Sequence, residues 1–162
     1  MKNQESLKRL KDLLKGTRIC MLSTYNEEKG IHTRPMAYQD IDEEGAIYFF
    51  TNEYSTKIDE ISVNNEINIS FTNIDDNNYV VLKAEASLSK DRAKMEELFN
   101  PMVKVWFPEG LDDSKLSLIK ADVKTAEYWD STSSKMVFLF NAAKSLITGE
   151  KYDEGEHGKL EL

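Results

Sequence analysis

The stretch Phe49-Phe50-Thr51-Asn52-Glu53-Tyr54-Ser55-Thr56-Lys57-Ile58-Asp59-Glu60-Ile61 decides how this chain folds. It begins as the end of an apolar strand, Ala46 to Phe50, and changes character within four residues into a helix opened by Ser55. Ser and Thr at such a junction can accept from the unpaired N–H groups of the first turn. The same helix start offers an anion a positive dipole end and free donors. Lys57 falls inside that first turn, where a cation is locally unfavourable unless an anion is expected. Two readings stand side by side: a capped helix with a solvent-facing lysine, and a phosphate cradle.

Working outward, Gln4 to Lys15 is expected as an amphipathic helix, with Leu7, Leu10, Leu13 and Leu14 in one stripe and Gly16 at its end. Arg18 to Tyr25 and Ile31 to Gln39 read as two strands joined by a polar loop, and Asp40 to Gly45 as the turn into the strand ending at Phe50. Pro35 requires an edge position or a bulge, because it removes a ladder donor. After a Ser55–Asn64 helix, Ile67 to Phe71 and Tyr79 to Leu88 are strands, Asp91 to Phe99 is a short helix, and Pro101 to Gly110 is an irregular link carrying Trp106. Leu116 to Asp130 is a last long strand, and Ser134 to Thr148 is read as a helix stopped by Gly149. Six strands with short turns and two interposed helices predict a small β-barrel with helical additions, not a nucleotide-binding βαβ repeat. One domain over 1–150 and a charged surface tail over 151–162 complete the expected organisation.

Composition narrows the partners. The net charge of −8 argues against a general nucleic-acid or anionic-membrane surface, so any anionic ligand needs a local basic site. The single cysteine, Cys20, cannot form an internal disulfide, lies in an apolar run as a small core residue, and suits a reducing cytoplasm. No signal peptide and no long apolar stretch is evident, so neither export nor membrane spanning is expected.

Catalytic patterns are sparse. The two histidines are His32 and His157, no motif surrounds a serine, and no His/Cys spacing suits a metal. Asp153-Glu154-Gly155-Glu156-His157 is read as solvated tail rather than a metal patch, so no metal site and no catalytic acid or base is assigned. The phosphate cradle needs a second cation, and Arg34 is the candidate. It lies in His32-Thr33-Arg34-Pro35-Met36, where alternation puts His32, Arg34, Met36 and Tyr38 on one face of a strand expected to neighbour Phe50–Thr51. An exposed strand arginine is the plainer alternative.

Arg34-Pro35-Met36, followed at this distance by Phe49-Phe50-Thr51-Asn52 and Ser55-Thr56-Lys57, resembles the pyridoxamine 5′-phosphate oxidase-like FMN-binding split barrels. The spacing to Glu127-Tyr128-Trp129-Asp130 and the late Gly-Glu-His-Gly resemble their bacterial general stress protein branch. The resemblance implies a mainly β, α+β fold, a six-stranded antiparallel split barrel, assembled as a homodimer with FMN at the subunit interface. By position, Arg34 and Lys57 would contact the flavin phosphate, with Ser55 and Thr56 beside it. Phe50 and Thr51 would approach ribityl chain and ring, and Pro35 and Met36 would lie along the isoalloxazine. Gln39 and Thr56 stand where the oxidases often carry basic residues. The oxidases' basic C-terminal substrate segment has no counterpart here, which argues against pyridoxamine phosphate oxidase activity.

Two charge-assisted hydrogen bonds at about 1.5–3 kcal/mol each and a helix terminus at up to about 2 kcal/mol approach the roughly 8 kcal/mol of micromolar binding. Ring burial must supply the rest. The expected function is FMN-dependent redox chemistry of a small molecule, with NAD(P)H as a possible donor. A flavin-binding stress protein acting as carrier or sensor is the alternative, and a barrel that binds haem or a deazaflavin instead is a further one.

Overall fold

The computed structural model describes residues 4–130 and 156–161; the helix expected over 134–148 lies outside them. Helix α1 (Gln4–Leu14) precedes strands β1 (Ile19–Asn26), β2 (Gly30–Ala37) and β3 (Ala46–Asn52). Helix α2 (Thr56–Val63) leads into β4 (Glu66–Asn73) and β5 (Asn78–Ser89). Helix α3 (Arg92–Leu98), two short 3-10 turns (Pro101–Val105 and Gly110–Asp112), β6 (Leu116–Asp130) and β7 (Glu156–Glu161) follow. Every ladder is antiparallel, in the order β2-β1-β4-β5-β6-β3, with β7 also on β6.

The six-stranded antiparallel barrel expected from the sequence is thus present, but it does not close by a ladder. β2 and β3 end the path and share no register, so the expected pairing of the Arg34 strand with Phe50–Thr51 is corrected. The chain beyond β2 makes the link instead. Gln39 N–H donates to the Tyr48 carbonyl at 2.9 Å and Asp42 N–H to the Ala46 carbonyl at 3.0 Å, around a bridge between Ile41 and Ile47. Pro35 therefore sits in an end strand of the sheet, opposite Met21 in an unbroken register, where its missing N–H costs no inner ladder bond.

The apolar faces follow the pleat. Cys20, Leu22, Ile69, Phe71, Val80, Leu82, Phe49 and Ile119 fill the barrel, each at most 2% exposed. Cys20 is a core residue, its S–H donating to the Met36 carbonyl, and burial pushes its thiol up to about 12. β3 is buried on both faces: Ile47 and Phe49 enter the barrel, while Ala46 and Tyr48 join Met95, Val103, Leu116 and Leu118 in a second core under α3 and the first 3-10 turn. A register shift at Lys83/Ala84 places an extra β6 residue there, and the inward side of β6 changes from Ile119, Ala121 and Val123 to Ala126 and Tyr128. Helix α1 caps one end through its leucine stripe. Its register is fixed by Arg9, which bonds Asp130 at 2.6 Å and lies 5.3 Å from the Tyr128 ring centre. Gly16, at φ +85°, ends the helix in a conformation that costs a glycine little.

Residues Glu156–Glu161, expected in a surface tail, form β7 on the β6 edge beyond β3. Gly158 faces Tyr128, and a Cβ built there would fall 2.6 Å from the phenol oxygen and 2.7 Å from its ring carbon. Tyr128 is 6% exposed and cannot swing away freely. Gly158→Ala is therefore expected to cost about 1–3 kcal/mol by overpacking, measured by denaturant unfolding. Unchanged stability would show that β7 does not seat on Tyr128.

Candidate functional site

Between the ends of β2 and β3, the start of β1 and the first 3-10 turn lies a cleft of about 840 Å³. That volume falls within the roughly 300–1,000 Å³ of small-molecule and cofactor sites. Pro35, Met36, Phe50 and Phe107 supply apolar wall, and Lys57 brings a cation to it. Phe50 is held edge-on against Phe99, with ring centres 6.4 Å apart, so its backbone is fixed where β3 leaves the barrel. Trp106 and Met102 line the same cleft while 67% and 62% exposed.

Of the residues singled out from the sequence, Pro35, Met36, Phe50, Thr51 and Lys57 line this cleft, whereas Arg34, Ser55 and Thr56 do not. Ser55 is the N-cap of α2, with φ −80° and ψ 149°, but its side chain makes no capping bond, which corrects the expected cap. Its Oγ instead accepts from Lys57 Nζ at 3.0 Å and lies 3.5 Å from Thr51 Oγ1. The hydroxyls of β3 and α2 and the lysine amine therefore form one polar group at the cleft. Thr56 is exposed on the first turn. Burial and the charge of Arg34 lower the Lys57 pKa, against a smaller opposing effect of Glu60, as expected of an amine with excess positive charge nearby.

Arg34 is held behind the cleft wall. Its Nη1 donates to Thr24 Oγ1 at 2.7 Å and its Nη2 to Glu60 Oε2 at 2.8 Å. Thr24 Oγ1 donates in turn to Glu60 Oε2 at 2.5 Å. His32 Nδ1 lies 3.1 Å from Glu60 Oε1, and since a carboxylate only accepts, that ring nitrogen carries the hydrogen. The side chains of Glu60 and Arg34 are 3% and 16% exposed. Burial alone would raise the Glu60 pKa; the bonds from Thr24, His32 and Arg34 outweigh it and hold the carboxyl at about 2, so it is ionised at neutral pH.

Glu60 and Thr24 were not recognised in the sequence as part of the site. Glu60 follows Lys57 by three positions and so shares its helix face, a signal that was available. Thr24 pairs with His32 and Leu22 with Arg34 in the β1–β2 register, which no local pattern discloses. Gln39, read as a missing basic residue, accepts from Asn100 Nδ2 at 2.7 Å and ties the end of β2 to the 3-10 segment. Both residues line the cleft. Among the described residues no cluster of His, Cys, Asp and Glu suits a metal, and no helix is long and apolar enough to cross a membrane.

Comparison with known proteins sets this geometry in a family. The general stress FMN/FAD binding protein of Xanthomonas citri is 28% identical, with a TM-score of 0.70 over 82% of this chain and 93% of its own. General Stress Protein 26 of Bacillus anthracis, 24% identical, shares the fold with a TM-score of 0.66 over 77% of this chain and 92% of its own. Protein bli-3 of Neurospora crassa is 27% identical over 151 residues, covering 87% of this chain and 72% of its own length. The family model described as pyridoxamine 5′-phosphate oxidase like matches residues 5–153, and the chain belongs to that family of split barrels.

Proposed function

We propose that this chain binds FMN in the cleft between β2, β3 and α2, as a homodimer, and serves flavin-dependent redox chemistry of a small molecule in the cytoplasm. The observation that carries the reading is the single cleft wall on which apolar Pro35, Met36 and Phe50 meet polar Thr51 and Lys57, the two bridged from behind by the Ser55 hydroxyl. An amphiphilic ligand with a flat apolar body and an anionic end fits that division. The flavin binding in the name of the Xanthomonas citri relative supports the same choice. When bound, FMN would supply hydride or electron transfer. The chain's own part would be to hold the phosphate with Lys57 and Ser55, with the charge of Arg34 behind them and Thr56 at the rim, and to seat the ring against Pro35, Met36 and the backbone of Phe50 and Thr51. Reduction of the loaded protein by NAD(P)H, followed by passage of electrons to an acceptor, separates this reading from a carrier or sensor.

The homodimer rests on the outer face of the β1–β2 edge. Ile19, Met21 and Tyr25 point away from the barrel at 55%, 42% and 44% exposure, and Ile31 across from Tyr25 is 76% exposed. A strand apolar on both faces is costly in water unless the outer face is covered. This face adjoins the cleft, since Ile19 and Pro35 belong to both. A two-fold partner seated there would cover the strip and wall the open side of the flavin site, with an aromatic such as Trp106 or Trp129 reaching across.

Three outcomes are expected. Apo-protein titrated with FMN and with riboflavin should prefer FMN clearly; equal affinity would remove the phosphate site. Lys57→Ala should weaken FMN about 10- to 100-fold, the loss of one charge-assisted bond, while apo-protein stability stays within about 1 kcal/mol. A collapse of apo stability would make Lys57 structural. Sedimentation at micromolar concentration should give twice the 18.6 kDa chain mass; a monomer that binds FMN stoichiometrically would defeat the shared site.

A further inference from the structure

The Arg34–Glu60 pair raises a question that the phosphate reading leaves open. An arginine reserved for a phosphate does not need a buried carboxylate at 2.8 Å, yet Glu60 occupies that place with Thr24 and His32 fastening it from two further directions. An unpaired buried charge is expensive, so neither Arg34 nor Glu60 would tolerate this depth alone. The guanidinium carries five N–H donors in a fixed fork, and the bonds to Thr24 and Glu60 use only one from each terminal nitrogen. The arginine can therefore hold Glu60 with three N–H donors left over, and its charge still reaches Lys57.

We propose that Glu60 is a built-in counter-ion of the phosphate cradle: it positions Arg34 and, by leaving Arg34, Lys57 and itself with a single net positive charge, keeps a phosphomonoester exchangeable rather than permanently held. The inference rests on the FMN reading above and adds a residue that limits affinity. The electrostatics fix its sign. A phosphomonoester brings about −1.5 to −2 charge at neutral pH. It meets two cations whose attraction is opposed by a carboxylate lying just behind them, in a partly buried setting where such repulsion is screened weakly. Lys57 feels both neighbours, its cation disfavoured by Arg34 and favoured by Glu60, which places the three charges in one electrostatic unit. In this arrangement the apo-protein keeps Arg34 ordered and compensated, and the ligand must share the arginine with a residue that never leaves.

The test compares FMN and riboflavin on the full chain. Glu60→Gln keeps an acceptor for Arg34 and Thr24 but removes the charge. FMN should bind at least about tenfold more tightly than to wild type, from the loss of one nearby repulsive charge, with riboflavin affinity unchanged and FMN dissociation correspondingly slower. Glu60→Asp retains the charge and should show no tightening. Because a buried substitution can cost folding, His32→Arg provides a second route: His32 is 51% exposed and contacts the other Glu60 oxygen, so an arginine there offsets the carboxylate without touching the core. It should also tighten FMN selectively. Weaker or unchanged FMN binding in a folded Glu60→Gln or in His32→Arg would overturn the proposal and leave Glu60 as a positioning residue only. Equal wild-type affinity for FMN and riboflavin would instead sink the phosphate reading beneath it, a result visible before any variant is made.

Discussion

β6 is the constraint on which the rest of the molecule depends. Among the described strands it alone meets one neighbour along nearly its whole length on one edge and two different neighbours on the other. β5 pairs with it from Leu118 to Asp130, while β3 takes residues 116–122 of the opposite edge and β7 takes 125–130. A strand of fifteen residues cannot keep one face inward over such a path while the sheet coils, and the extra residue near Lys124 resolves the conflict. The first half of β6 consequently serves two cores: Ile119 and Ala121 inside the barrel, Leu116 and Leu118 beneath α3. The second half serves the barrel and the seat of β7.

That double service fixes β3, and β3 fixes the site. Packed on both faces and bonded to β6 from Ala46 to Asn52, β3 has little freedom, so the point where the chain turns into α2 is well defined. Thr51, Ser55 and Lys57 meet there without any bond from the Ser55 side chain to the helix start. The hydroxyl that could have capped α2 faces the lysine instead. Local helix stability is given up by roughly a typical cap, about 1 kcal/mol, in return for a polar group at the cleft.

The other end of the site is secured by charge. α2 touches the β1–β2 edge through Glu60, whose buried carboxylate gathers Thr24, Arg34 and the half-exposed His32 into one cluster. This cluster binds a helix from the middle of the chain to the first hairpin, which otherwise has no ladder to β3. The backbone link through Gln39 and Asp42 and this ion-pair cluster together span the split in the barrel. The candidate flavin site lies along that split, where a sheet that fails to close leaves both a cleft and polar groups to line it.

Much of this was legible along the chain. Leu7, Leu10, Leu13 and Leu14 announce α1 by their spacing, Phe49 to Ile61 announces the strand-to-helix junction, and Pro35 announces a sheet edge or a bulge, of which the fold takes the edge, because each is a local rule about which neighbours a backbone can have. Arg34 and Lys57 were identifiable as the cations of a possible anion site by type and spacing. The tertiary structure decided what those rules cannot reach. It left β2 and β3 without a common ladder, turned Ser55 away from its cap, drew Glu156–Glu161 out of an apparent tail into β7, and set Glu60 against Arg34. The pairing of Arg34 with Glu60 spans twenty-six positions and depends on how the barrel coils, how α2 crosses it and which polar groups burial leaves unpaired. Sequence patterning records the face a residue turns to its own element; the partner it meets there is chosen only when the faces are folded together.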